Sequence, residues 1–421
     1  MEKQSADTMY TDSSHNSIKS VYTIFLWHGF FLAITKSMLD LNTIFPALVS
    51  QLTHSKIIFG LLYSIMLGVP FIFNIFLGHW LHSVRRKKKF LLLGIYLRSL
   101  AFFGMAVFIY LFASNSPVLV IASLFFWIFL FSFSGGFAGL SYGDIIGKLV
   151  PKGNRGKLYA TKQFIAGFAG LLGGGLVAKV FSLKSLHFPN NYAITLLVGF
   201  AGLVIASIAF WFIREPLTNQ LQESKDSFRQ FLRRVPSIIQ KDNSFFWFLV
   251  VENMASFSLM MLPFYMVYAK DTFQVGAEYV GKYLLWQIAG TILSNVYWGL
   301  ISQRKSSDHV VRQCVAIGGL IPILALLLQP LGPDYFGIVF LFIGFVISGR
   351  RVGFEPYLLD LAPEDQRTIY LGINGTLNFS VVLLPVLGGV FIQFLGYQVT
   401  FIMTTVIMIF ASILTRKFKE N

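Results

Sequence analysis

The sequence predicts an all-α membrane protein of twelve transmembrane helices arranged in two six-helix halves. Three observations carry that expectation: the chain is too apolar for its length, its apolar residues form runs long enough to cross a bilayer, and short signals recur in both halves.

Of 421 residues, 55% are hydrophobic, 16% aromatic and only 13% charged, which is more apolar surface than a water-soluble fold of this length buries. The formal charge of +15 does not point to nucleic acid, because the basic residues gather in short runs between apolar stretches instead of covering one surface. Residues 1–20 form a polar N-terminal leader without the basic start and short apolar core of a secretory signal, and are expected to be cytoplasmic. Cys314 is the single cysteine, so no intramolecular disulfide forms and no cysteine set for a metal exists. No metal or cofactor is expected.

A membrane helix needs about 20 mostly apolar residues. Such runs fall at 21–49, 57–81, 90–112, 118–147, 159–181 and 192–213, forming an N-terminal half at 21–213. A charge-mixed stretch at 214–243 interrupts them. The second half, 244–415, carries runs at 244–269, 278–301, 310–331, 335–361, 368–394 and 398–414, and 416–421 is a short tail. Lys and Arg concentrate in alternate loops on the side that carries both termini, which places that side, the loop at 214–243 and the tail in the cytoplasm. The expected location is the cell membrane, inner or plasma.

The halves repeat each other. The fourth run leaves through Asp144, Pro151, Arg155 and Tyr159, and the tenth through Asp360, Pro363, Arg367 and Tyr370; both keep Pro-x-x-x-Arg followed by Tyr. Between the second and third runs of each half a glycine precedes a basic loop: Gly78 before Arg85 and Arg86, and Gly299 before Arg304 and Lys305. In these loops, over nearly its whole length, the chain resembles the major facilitator superfamily, whose Gly-x-x-x-Asp-Arg-x-Gly-Arg-Arg-like loops stand at these two places. The first loop departs from that pattern with His82 at the acidic position and Arg85 at the second glycine, and the second has Gln303 at the acidic position. The resemblance implies the major facilitator fold, alternating access to a central cavity lined by helices one, four, seven and ten, and a monomer. It also implies a cytoplasmic gate at Gly78, Arg85, Arg86, Arg155, Gly299, Arg304 and Arg367. Lipid anchoring by the basic run 85–89 accounts for the same charges.

Glycines cluster in the fifth run (Gly167, Gly170, Gly173, Gly174, Gly175) and in the eleventh (Gly388, Gly389 after Pro385), where small residues let helices approach closely in lipid. In proton-linked drug antiporters of the superfamily a Gly-Pro-x-x-Gly-Gly element lies in helix five; here Pro-x-x-Gly-Gly is in helix eleven.

Ionisable groups inside a span are functional candidates by default. The first run holds Lys36 and Asp40, one helical turn apart; the seventh holds Glu252 and Asn253; the tenth holds Arg350, Arg351 and Glu355, with Arg351 and Glu355 on one face. Arg350 and Arg351 have no counterpart in the fourth run, where the repeat places Ala138 and Gly139. The expected division of labour gives Lys36, Arg350, Arg351 and Asn253 an anionic or zwitterionic solute, and Glu252, Asp40 or Glu355 a coupling proton. Simple ion pairs, Lys36 with Asp40 and Arg351 with Glu355, are the competing account. Arg98 is expected to be structural, Lys162, Lys179 and Lys282 to snorkel, and His28, Gln287, Asn374 and Asn378 to bond between helices.

An enzyme is not expected: no His-Glu-x-x-His, no nucleotide-binding glycine loop and no Gly-x-x-x-x-Gly-Lys-Ser/Thr is present. The expected function is secondary uptake of a small polar solute driven by a proton or sodium gradient, with lipid as the surrounding partner. Export of an amphipathic compound is the alternative within transport, and a receptor or lipid scramblase the alternative of another class.

Overall fold

In lipid every backbone polar group must be satisfied within the chain, and an all-helical architecture does this segment by segment. The computed structural model describes residues 2–82, 84, 86–215, 228–363 and 367–418. They form α1 (Glu2–Met38), α2 (Ile44–Leu52), α3 (Lys56–His82), α4 (Lys88–Phe112), α5 (Pro117–Leu149), α6 (Lys152–Ser182), α7 (Asn190–Trp211), α8 (Phe228–Lys241), α9 (Asn243–Met261), α10 (Phe264–Phe273), α11 (Ala277–Arg304), α12 (Ser307–Leu328), α13 (Pro333–Leu361), α14 (Arg367–Leu377) and α15 (Leu384–Leu414). No strand occurs among the described residues. Nine stretches among them are long and apolar enough to cross a membrane, and Lys56–Pro70 is a shorter apolar helix, in keeping with the twelve expected spans. The polar leader is continuous with the first span in α1.

Three of the expected spans are broken, two of them for a local chemical reason. The first is not continuous: α1 stops at Met38, and Asp40 Oδ1 accepts from the Asn42 and Thr43 amides at 2.9 and 3.0 Å, a local side-chain turn that competes with the helix. The seventh divides at Leu262 and Pro263 into α9 and α10, since proline offers no N–H to the helical ladder. The eleventh passes from α14 through a 3-10 turn (Asn378–Val382) into α15. Inside α15, Gly396 takes φ 79°, a left-handed conformation open to glycine at little cost, and this kink separates the eleventh span from the twelfth.

By compactness the chain divides into two units. The first comprises Met1–Leu39, Val69–Val180 and Lys184–Gln222, and the second Asp40–Gly68, Phe181–Leu183 and Glu223–Asn421. The segment Asp40–Gly68 thus packs with the C-terminal helices. In the first unit α4 packs on α5 and on α7, and α1 packs on α7. In the second, α12 packs on α13 and on α15, and α9 packs on α15. Third span on fourth recurs in both units, and the pairings of α7 with α4 and α1 recur as those of α15, the helix that carries the eleventh and twelfth spans, with α12 and α9. The repeated sequence signals therefore belong to a repeated packing scheme.

Close approach at these crossings relies on missing side chains. A Cβ on Gly94 of α4 would lie 2.8 Å from the Ser134 carbonyl of α5, and one on Gly344 of α13 would lie 2.2 Å from the Gln287 carbonyl of α11. The glycines of α6 differ from expectation. Gly173 meets Ser37 and Ile34 of α1, while nothing lies within 4 Å of a Cβ built on Gly167, Gly170 or Gly175, so α6 is not close-packed along that whole stripe.

Candidate functional site

The second unit gathers the strongest buried charges on α9 and α13. Glu252 sits in mid-α9 and is buried. Its carboxylate is within hydrogen-bonding reach of the Asn378 and Asn374 side chains and within electrostatic range of Arg350, but Oε2 has no hydrogen-bond partner among the described residues. Arg350 on α13 donates from one terminal nitrogen to Ser256 Oγ at 3.3 Å, and its guanidinium lies 4.5 Å from the centre of the Phe354 ring. Ser256 is one helical turn after Glu252, whose carbonyl accepts its hydroxyl at 2.8 Å. Carboxylate and guanidinium are thus held on neutral amide and hydroxyl groups, and no direct ion pair joins them.

The remaining predicted residues fall into different surroundings. Arg351 and Glu355 are both exposed, and the ion pair expected between them is not formed among the described residues. Asn253 donates Nδ2 to the Leu249 carbonyl of its own helix at 2.9 Å. Lys36, in the last turn of α1, is exposed. The expected shared face of Lys36 and Asp40 does not exist, because the helix has ended before Asp40. Asp40 instead organises the start of α2: besides the two amides, Oδ1 accepts from the Thr43 hydroxyl at 2.9 Å, and Oδ2 accepts from Gln287 of α11 at 2.9 Å. Every described contact of that carboxylate is with a neutral group.

The gate residues are also distributed. Arg155 donates Nε to the Val150 carbonyl at 3.0 Å and a terminal nitrogen to the Gly147 carbonyl at 2.7 Å, so it closes the C-terminal end of α5, where helix carbonyls lack partners. Arg86 and Arg304 are exposed. Gly299 lies in α11 with open space where a Cβ would stand, and Gly78 lies within α3. Arg85 and the Arg367 side chain lie outside the described residues.

Contacts that the sequence did not disclose gather at this end of the first unit. Lys87 Nζ donates to Asp144 Oδ1 at 2.7 Å, and Lys148 Nζ reaches Asp144 Oδ2 at 2.7 Å and Glu215 Oε1 at 2.8 Å. Glu215 also accepts from the Lys87 and Lys88 amides at 2.9 and 2.8 Å, at the start of α4, where the helix dipole favours a carboxylate.

Within the second unit a polar cluster ties Asp40–Gly68 to the C-terminal helices. Lys56 Nζ donates to Asp271 Oδ2 at 2.6 Å, the Tyr397 hydroxyl donates to the same oxygen at 2.8 Å, and the Lys56 amide donates to Gln393 Oε1 at 3.1 Å. Beside it, a Cβ on Gly389 would lie 2.2 Å from the Lys56 carbonyl. No group of three or more potential metal ligands occurs among the described residues.

Sequence reasoning also missed a convergence in the first unit. His28 of α1, Arg98 of α4, Tyr142 of α5 and Lys162 of α6 line one cavity of about 160 Å³. Lys162 does not snorkel: its Nζ donates to the Tyr142 hydroxyl at 2.6 Å. The signal was present in Arg98, an intramembrane arginine with no acid near it in sequence.

Duplicated six-span packing, broken membrane helices and buried charges on helices seven and ten together define a polytopic membrane protein with a transporter fold. The chain belongs to the Major Facilitator Superfamily, which it matches over residues 26–378 and 290–420. No curated protein matches it. Similar solved structures include a bacterial homologue of the iron transporter ferroportin in an inward-facing state, at 14% identity and TM-score 0.70, covering 94% of this chain and 98% of that one. The nucleoside transporter NupG is similar at 12% identity and TM-score 0.69, covering 94% and 100%. A D-xylose–proton symporter is similar at 13% identity and TM-score 0.68, covering 96% and 98%. At these identities the likeness is one of fold, and family and fold together place the chain among transporters and not among enzymes.

Proposed function

We propose that the protein is a secondary active transporter that takes up a small anionic or zwitterionic solute by alternating access, with Glu252 carrying a coupling proton. The observation that supports this reading most directly is the separated pair Glu252–Arg350. A purely structural pair gains by closing into direct contact, since an uncompensated charge in a low-dielectric interior is costly. Here each charge is instead solvated by neutral protein groups, Asn374 and Asn378 on one side and Ser256 and Phe354 on the other. That arrangement leaves the guanidinium able to accept a solute anion and the carboxylate able to exchange a proton.

Arg351, exposed beside Arg350, is the second candidate contact for the solute; Glu355, Lys36, Asn253 and Asp40 stand behind these two. In this reading both termini face the cytoplasm of a cell membrane, as the basic loops support, the transporter works as a monomer, and the gradient is of protons, with sodium as the alternative ion.

The test is a ligand-stabilisation screen of the purified protein against Arg351→Ala, across organic anions, amino acids, sugars and lipophilic cations. A polar anion or zwitterion that raises the melting temperature of the wild type and loses that effect in the variant supports the reading. Stabilisation by lipophilic cations alone, unchanged in Arg351→Ala, overturns it in favour of export of amphipathic compounds.

A further inference from the structure

We infer that the first unit carries an anion-binding site of its own, in the cavity between His28, Arg98, Tyr142 and Lys162. The inference does not depend on the Glu252–Arg350 reading, which concerns the other unit.

The cavity is lined at one side by Ala138 and Gly139 of α5, the two residues that the internal repeat aligns with Arg350 and Arg351. In the second unit the cations stand on the tenth helix itself. In the first, the equivalent helix offers only small residues, and a Cβ on Gly139 would meet nothing within 4 Å. The space so left is reached from neighbouring helices by Arg98 and Lys162. The chain thus places positive charge at corresponding points of both repeats by two different routes.

The charge balance of the cavity calls for an anion. Among the residues that line it no Asp or Glu occurs. Arg98 cannot shed its proton, its Nε has no hydrogen-bond partner among the described residues, and its guanidinium packs 4.2 Å from the centre of the Phe131 ring. Among the described residues the only hydrogen-bond partner of Lys162 Nζ is the Tyr142 hydroxyl. His28 is 5% exposed and its Nδ1 is unpartnered as well. A guanidinium, an ammonium and a phenol around one space, with Arg98 Nε still unpartnered among the described residues, match a small oxyanion, whose several lone pairs accept from all three. The volume of about 160 Å³, room for about five water molecules, accommodates a carboxylate or phosphate group. The ligand is therefore an oxyanionic group, either on a free solute or on a lipid headgroup.

The experiment uses the full-length protein in nanodiscs of phosphatidylcholine alone or with phosphatidylglycerol, titrated with inorganic phosphate, acetate and succinate, with glucose as the uncharged control. Melting temperature is read for the wild type, Arg350→Gln, and Arg350→Gln combined with Arg98→Gln or with Gly139→Val. A Cβ at Gly139 meets no protein within 4 Å, so Gly139→Val narrows the cavity without touching its charges and decides the matter should Arg98→Gln fail to fold. The expected result is a rise in melting temperature that grows with the logarithm of oxyanion concentration, absent for glucose. In an Arg350→Gln background, which takes the second unit's cation out of the reading, the apparent affinity falls about tenfold or more when Arg98→Gln or Gly139→Val is added. Stabilisation by phosphatidylglycerol alone, lost in the same two variants, upholds the site and assigns it to a lipid headgroup. Absence of stabilisation by every oxyanion and by the anionic lipid, or stabilisation that survives Gly139→Val, overturns the inference.

Discussion

Lys87 donates to Asp144 at 2.7 Å in the first unit, at the place where Ser307 donates to Asp360 at 2.8 Å in the second. In each repeat an acid at the end of the fourth span thus holds the start of the third. The two copies differ in chemistry: the first is an ion pair reinforced by Lys148, the second a hydrogen bond from a hydroxyl. Asp144→Asn leaves two half-buried lysines without their shared acid and should lower stability by about 1–3 kcal/mol, whereas Asp360→Asn should cost about 1 kcal/mol or less. Thermal unfolding of the two variants side by side checks the order, and an Asp360→Asn loss equal to or larger than that of Asp144→Asn contradicts it.

Glu252 and Arg350 communicate through space and not through contact, so their coupling can be measured. Arg350→Gln and Glu252→Gln should each destabilise the protein, and the double variant should recover part of the loss, giving a coupling of about 0.5–3 kcal/mol in a double-mutant cycle. Coupling indistinguishable from zero would mean that the two charges act on different events.

Proton carriage by Glu252 has its own signature. Gln keeps the shape and the hydrogen-bonding reach toward Asn374 and Asn378 while removing the titrating group. Uptake into proteoliposomes driven by an imposed pH gradient should lose its pH dependence in Glu252→Gln, while exchange of solute between equilibrated compartments persists. A wild-type pH profile in a well-folded Glu252→Gln protein removes the role.

The long apolar spans and the repeat were legible because lipid imposes long apolar runs and basic loops, and both are written linearly in the chain. The breaks were only partly legible. Pro263 marks one, but the Asp40 turn looked like a charged pair with Lys36, since spacing alone cannot show that a helix has stopped between two residues. Arg351 and Glu355 illustrate the converse: one turn apart on a continuous helix, they share a face yet do not pair. The convergence of Arg98, Lys162 and His28 was hidden most deeply, for it joins helices far apart in sequence, and a cation there has no acid to betray it. Arg155, expected at a gate, also caps α5, a contact that its place six residues after the helix end left open.

The polar cluster around Asp271 bears on how the segment Asp40–Gly68 could be released. Asp271 accepts from both Lys56 and Tyr397, so Asp271→Asn removes the charge that both donors share. With side-chain exposures of 14% for Lys56 and 38% for Asp271, solvent screens the pair, and its loss should cost no more than about 1 kcal/mol. In a two-state equilibrium that is about a fivefold change in population, large enough to see when the alternative state is minor. Ala47, on the segment that would separate, is fully buried, and Lys270 donates to its carbonyl at 3.2 Å. Because Cys314 is the only native cysteine, a Cys314→Ser background carrying Ala47→Cys gives a single reporter. Labelling of that cysteine by a membrane-impermeant maleimide should speed up by up to about fivefold when Asp271→Asn is added, and adding salt to the parent protein should move its rate in the same direction. A rate that responds to neither change would show that packing around Gly389, and not the Asp271 cluster, holds the segment in place.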